Sequence, residues 1–181
     1  MKLNSLKDLF EREVRELHHA KRDSLRMLSM LQRAASSRDL AILLDQEMSR
    51  AAAHADSLET LFVAHGTADC HPSRSVARLL ADCYDLSRDE PATSALRDAA
   101  LITLCRHLKH DLIAGLGCAC AWARLLGDEH AVEVLQRCER DEMESDRQLG
   151  AIGDVINRHA VCGQTEEPWD ATVEDTVLYC G

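Results

Sequence analysis

RAASSRDL (33–40) is the stretch whose reading decides the fold. On its amino-terminal side, Leu6, Phe10, Val14, Leu17, Leu25, Leu28 and Leu31 recur with a 3.6-residue period, which predicts a helix over roughly 5–34 capped by Asn4 or Ser5. On the other side, Leu40, Leu43, Leu44, Met48, Ala51, Ala55, Leu58 and Phe62 carry a second stripe to a stop at Gly66. Ser36 and Ser37 supply an N-cap for that second helix, because a short side-chain oxygen can take up one of its unpaired backbone N–H groups. Two long helices joined by so few residues must fold back as an antiparallel hairpin.

The second half repeats the plan. Residues 66–72 read as loop, 74–86 as a short amphipathic helix, and SRDEP (87–91) as a breaker, so this region is a crossover. A third long helix is predicted over 92–126, with Gly127 as its C-cap and Asp128 as the N-cap of a fourth helix over 129–158. Two antiparallel hairpins joined by a crossover with a short extra helix make an all-α, ferritin-like four-helix bundle, an architecture whose cofactor sites lie in its core. The bundle is assigned to 1–160. Residues 161–181 form an acidic, turn-rich C-terminal tail in which Trp169, Val177, Leu178 and Tyr179 are the groups able to dock.

Composition agrees with this plan. A chain of 181 residues is one domain in size, and 3 % aromatics with three prolines suits a helical bundle. No apolar run approaches the roughly 20 residues of a membrane span, and MKLNSLKDLFEREV (1–14) is amphipathic and charged, unlike a signal peptide, so a soluble cytoplasmic protein is expected. A net charge of −10 without a basic patch argues against nucleic acid and anionic membranes as partners. The eight cysteines are read as free thiols. Cys118 and Cys120 are two apart and point to different faces, Cys105 and Cys138 fall on apolar stripes, and Cys70, Cys162 and Cys180 fall in loop or tail. No CxxC pair is present to nucleate zinc.

CERDEMESD (138–146) places five carboxylates within one predicted helix. Glu142 lies on the apolar stripe Leu135, Cys138, Leu149, Ile152, Ile156, with Asp146 beside it at i,i+4. The same test puts Lys21 between Leu17 and Leu25, and Lys109 between Cys105 and Leu112 with His110 and Asp111 on its shoulders. His54 sits near Met48, Ala51, Leu58 and Leu61. Each long helix therefore sends an ionisable group inward. A lone buried charge costs several kcal/mol, so these groups must meet, unless the lysine stems lie along the core edge and carry their ammonium groups to water. His18, His19, His65, His71, His130 and His159 read as surface or capping residues, and His107 with His110 has metal spacing but no evident third ligand.

LKDLF (6–10), HADSLE (54–59), RDAALI (97–102), IAGLG (113–117), WARLLG (122–127) and AVEVL (131–135) resemble, in order and spacing, the YciE/YciF family of ferritin-like bacterial stress proteins over roughly 1–160. The resemblance implies a rubrerythrin-related bundle, commonly a homodimer, with a di-iron-type carboxylate site at its centre. The family pattern has an Ala-Glu pair where this chain has Ala20 and Lys21, and a Glu-His-Tyr-Glu run where it has Lys109, His110, Asp111 and Leu112. Glu142 and Asp146 match. His54 stands where the family has His or Gln, but Arg50, Ala51 and Ala52 replace the acids expected just before it.

Ammonium groups do not coordinate metals, and two lysines for two glutamates would bring their own positive charge. The expectation is a cluster in which Lys21 and Lys109 pair with Glu142 and Asp146, without cofactor, in a non-catalytic binding or structural protein that is dimeric or joined to another protein. The alternative is a redox or storage protein holding iron, manganese or zinc through His54, His110, Asp111, Glu142 and Asp146, with the lysines swung outward.

Overall fold

The computed structural model describes residues 4–61, 73–88 and 93–162. These form α1 (Leu6–Ala34), α2 (Arg38–Glu59), α3 (Arg74–Arg88), α4 (Ser94–Leu126) and α5 (Glu129–Cys162). Among the described residues there is no strand, and no helix is long and apolar enough to cross a membrane.

The helix ends follow cap chemistry. Ser5 accepts from the Asp8 amide, Ser37 from that of Leu40 and Thr93 from that of Leu96, while Asp128 Oδ1 accepts from Ala131 N at 2.9 Å. Gly127 takes φ 73°, a left-handed turn that a side chain would strain, and so ends α4 one residue before the cap of α5. The structure differs from the periodicity at four ends. The helical hydrogen-bond pattern of α2 ends at Glu59, where the Thr60 hydroxyl turns back onto the Ser57 carbonyl; the expected stop at Gly66 lies outside the described residues. The amphipathic segment after the loop runs on to Arg88, two residues past its expected end. α4 starts at Ser94 because Thr93 is its cap. α5 continues to Cys162, since His159, Ala160 and Val161 carry no breaker, and Cys162 is therefore helical.

α1 packs along α2 and α4 along α5; α1 against α4 and α2 against α5 close the four-helix ring. α3 lies on the outside of the α1–α4 seam. Leu17, Leu28, Leu44, Leu58, Leu116, Leu135 and Leu149 fill the middle, each at most 4 % exposed. Cys105 and Cys138 join this core, whereas Cys118 is exposed and Cys120 is buried, as opposite faces require. At Gly115 an added Cβ would lie 2.8 Å from Glu13 Oε1 and 3.0 Å from Leu17 Cδ2, so the missing side chain lets α4 approach α1.

One polar tie sets the hairpins relative to each other. Asp98, 2 % exposed on α4, accepts from Ser36 N at 2.9 Å and Ser37 N at 2.6 Å in the α1–α2 connection. Burial raises its pKa, and the two amides act against that rise. Asp98→Ala leaves both amides without their acceptor and is expected to cost about 2–3 kcal/mol in urea unfolding; a change below about 0.5 kcal/mol, the range of ordinary surface substitutions, would show that the tie is dispensable.

Candidate functional site

Lys21 on α1, Glu47 on α2, Lys109 on α4 and Glu142 on α5 meet at mid-bundle, and none is more than 2 % exposed. Glu142 is the hub. Its Oε1 accepts from Lys21 Nζ and its Oε2 from Lys109 Nζ, the latter at 2.9 Å. Lys109 Nζ also donates to Glu47 Oε2, and the other oxygen of Glu47 accepts from Arg50 Nη1 at 2.6 Å. His54 closes the cluster, with Nδ1 3.3 Å from Glu142 Oε1 and Nε2 3.0 Å from Asp141 Oδ2. The dry centre thus holds two ammonium groups and two carboxylates, while Arg50 and Asp141 lead outward toward the surface.

The electrostatics follow the geometry. Burial alone would raise the pKa of Glu142, but the His54 contact and the two lysine charges outweigh it and hold the carboxyl well below the usual glutamate range. Burial lowers the pKa of Lys109, Glu142 opposes that shift, and the like charge of Lys21 adds to it. Each ion is costly to desolvate, and its partners are what make its burial tolerable.

Asp146 does not join the lysines. It turns to the edge of the bundle, where Arg106 grips both its oxygens at 2.8 and 3.1 Å and His110 Nε2 lies 3.5 Å away. An i,i+4 spacing overshoots one full turn of the helix by about 40°, enough to carry Asp146 off the Glu142 stripe. The place expected for it is taken by Glu47, which sequence reading missed. Its signal was present: Leu40, Leu43, Leu44, Glu47, Ala51, Ala55 and Leu58 form one stripe. The acid of α2 lies three residues before Arg50 rather than at 50–52. The five alternative metal ligands are divided by the structure: His54 lies with Glu142, His110 with Asp146, and Asp111 is exposed. Both lysines point inward instead of swinging outward, and among the described residues no group of three or more His, Cys, Asp or Glu is arranged to hold a metal. Among the remaining histidines, His18 is a correction, being 7 % exposed rather than at the surface; its ring meets that of His19 edge-on.

In di-metal carboxylate bundles of this architecture, two helices each give one Glu and the other two each give Glu-x-x-His. Here the inward single positions are Lys21 and Lys109, and the paired positions are Glu47 with Arg50 and Glu142 with Ser145. The Ser145 hydroxyl is buried and has no hydrogen-bond partner among the described residues. Two carboxylates facing two ammonium groups do not fit a pair of divalent ions.

A family described as a domain of unknown function, DUF892, matches residues 5–161. The chain belongs to this family. The stress protein YciF of E. coli superposes on this DUF892 chain with a TM-score of 0.80 at 18 % identity, covering 86 % of this chain and 99 % of that one. YcfI of Rhodopseudomonas palustris, described provisionally as a structural protein, superposes with a TM-score of 0.75 at 21 % identity, covering 82 % and 95 %. These likenesses show the ferritin-like helical fold. No curated protein matches the chain.

Two predictions follow from the cluster's geometry. Glu142→Leu leaves Lys21 without its carboxylate and Lys109 with Glu47 alone, and is expected to cost about 3–5 kcal/mol in denaturant unfolding, whereas replacing Lys21, Glu47, Lys109 and Glu142 together by Met or Leu is expected to match or exceed the wild type. A fourfold variant less stable than Glu142→Leu would contradict this. For pH, unfolded Glu142 protonates near its ordinary value of 4.5 and folded Glu142 only well below it. The unfolded chain therefore binds more protons below that value, and the stability contributed by this group is lost as the pH falls. Glu142→Gln is expected to flatten the acid limb of stability against pH; an unchanged slope would show that other carboxylates set it.

Proposed function

We propose that this DUF892 protein is a stress-associated ferritin-like protein whose central di-metal site has been replaced by lysines, and that it serves a binding or structural role, as a cytoplasmic homodimer, rather than a catalytic one. The observation that carries this reading is the bridging Glu142 carboxylate, whose two oxygens face Lys21 and Lys109 as a bridging ligand would face two cations. The ammonium groups supply the positive charge that two metal ions would otherwise bring, and the core stays neutral without them. The described purposes of YciF as a stress protein and of YcfI as a structural protein support the same assignment.

Redox or hydrolytic chemistry at such a centre requires an open coordination position on a bound ion. Here each lysine nitrogen is already engaged by carboxylate oxygen within a sealed core. Elemental analysis of protein purified without chelator is expected to find iron, manganese and zinc far below one ion per chain, and Lys21→Glu with Lys109→Glu is expected to raise the content toward two. Stoichiometric metal in the wild type would overturn the proposal.

A further inference from the structure

A cleft of about 320 Å³ opens between the last turns of α1, the second half of α3 and the first turns of α4. Met30, Leu31, Leu86 and Leu101 form its walls, together with the buried thiol of Cys83. Burial pushes that thiol up to about 11, so it remains protonated and acts as an apolar wall. Among the described residues, the one charged group in the lining is Arg97. Its backbone N–H bonds to Thr93 O in the first turn of α4, and its guanidinium charge acts on the neighbouring Asp98 carboxylate. The neighbouring Asp98 is engaged by the amides of Ser36 and Ser37.

An apolar trough with a single cation at the positive end of a long helix matches a ligand with a hydrocarbon body and one anionic head. The volume lies at the lower end of the range for small-molecule sites, and it holds roughly ten groups of the ~30 Å³ that a water occupies in the liquid. Arginine presents a planar fork that fits a carboxylate through two parallel hydrogen bonds, and the N-terminal end of α4 favours negative charge at that place. In a protein of net charge −10, an arginine in this lining stands out as an anion contact. We propose that this cleft binds a medium-chain monocarboxylate, with its acyl chain against Leu31, Leu86 and Leu101 and its carboxylate on Arg97.

Calorimetric titration of the full chain with decanoate tests this, with decanol as the uncharged control. Saturable one-to-one binding is expected, weakened at least tenfold in Arg97→Gln and partly restored in Arg97→Lys. Decanol is expected to bind more weakly than decanoate, and equally in wild type and Arg97→Gln. Ala34→Trp, which fills the cleft from the last residue of α1, is expected to abolish decanoate binding while keeping the helical circular-dichroism signal; Leu86→Trp serves the same purpose if the first variant does not fold. Unsaturable uptake, equal affinity for decanol, or an unchanged Arg97→Gln would overturn the proposal. So would self-association of the chain that Arg97→Gln abolishes without any decanoate binding, which would assign the cleft to contact between two copies.

Discussion

Glu142 is the group on which the centre of the bundle depends. A carboxylate with no exposed surface would be pushed toward its neutral form, and each of the lysines facing it would be equally unwelcome alone. Together they make burial tolerable: one carboxylate binds α1 and α4 to α5 through its two oxygens, and Lys109 extends the link to Glu47 on α2. All four bundle helices are therefore joined through ion pairs at one level. Removing one partner from such a cluster costs more than replacing the whole by apolar side chains of similar volume, which is often neutral.

The identity of the cations matters. The chain contains seventeen arginines and only four lysines, yet among the described residues the two buried Lys and Arg side chains are both lysine. An ammonium is compact, with three donors at the end of a slim apolar stem that packs beside leucines, whereas a guanidinium needs room for five donors in a plane. The arginines stand where water or an edge is available, as Arg50 does against Glu47 and Arg106 against Asp146. This division also explains the two acids of α5. Glu142 faces the dry centre and meets ammonium; Asp146, four residues on, faces the rim and meets guanidinium.

Much of this was legible in the sequence because the bundle obeys one period throughout. Ser37, Gly127 and Asp128 marked the hairpin turns by cap chemistry, and Lys21, Lys109 and Glu142 stood out as charges on apolar stripes. Glu47 is hidden by position rather than by chemistry: the apolar stripe runs through Leu44, Met48 and Ala51 on either side of it, and it stands seven residues before His54 instead of directly ahead of it. The misplacement of Asp146 has a different cause, since spacing along a helix gives the face but not the few tens of degrees that separate core from rim. Pairing across helices was beyond reach, because Asp98 against Ser36 and Ser37, 61 or 62 residues apart, follows from packing rather than from any local pattern.

The central claim is that the core of this DUF892 chain is neutralised by its own amines. Reductive methylation of the native protein, followed residue by residue with mass spectrometry, tests it most directly, because the Lys7 side chain is 60 % exposed and serves as an internal standard. The account predicts that Lys7 is methylated while Lys21 and Lys109 stay unmodified until the chain is unfolded. Methylation of Lys21 and Lys109 in the folded protein at the rate of Lys7 would contradict it.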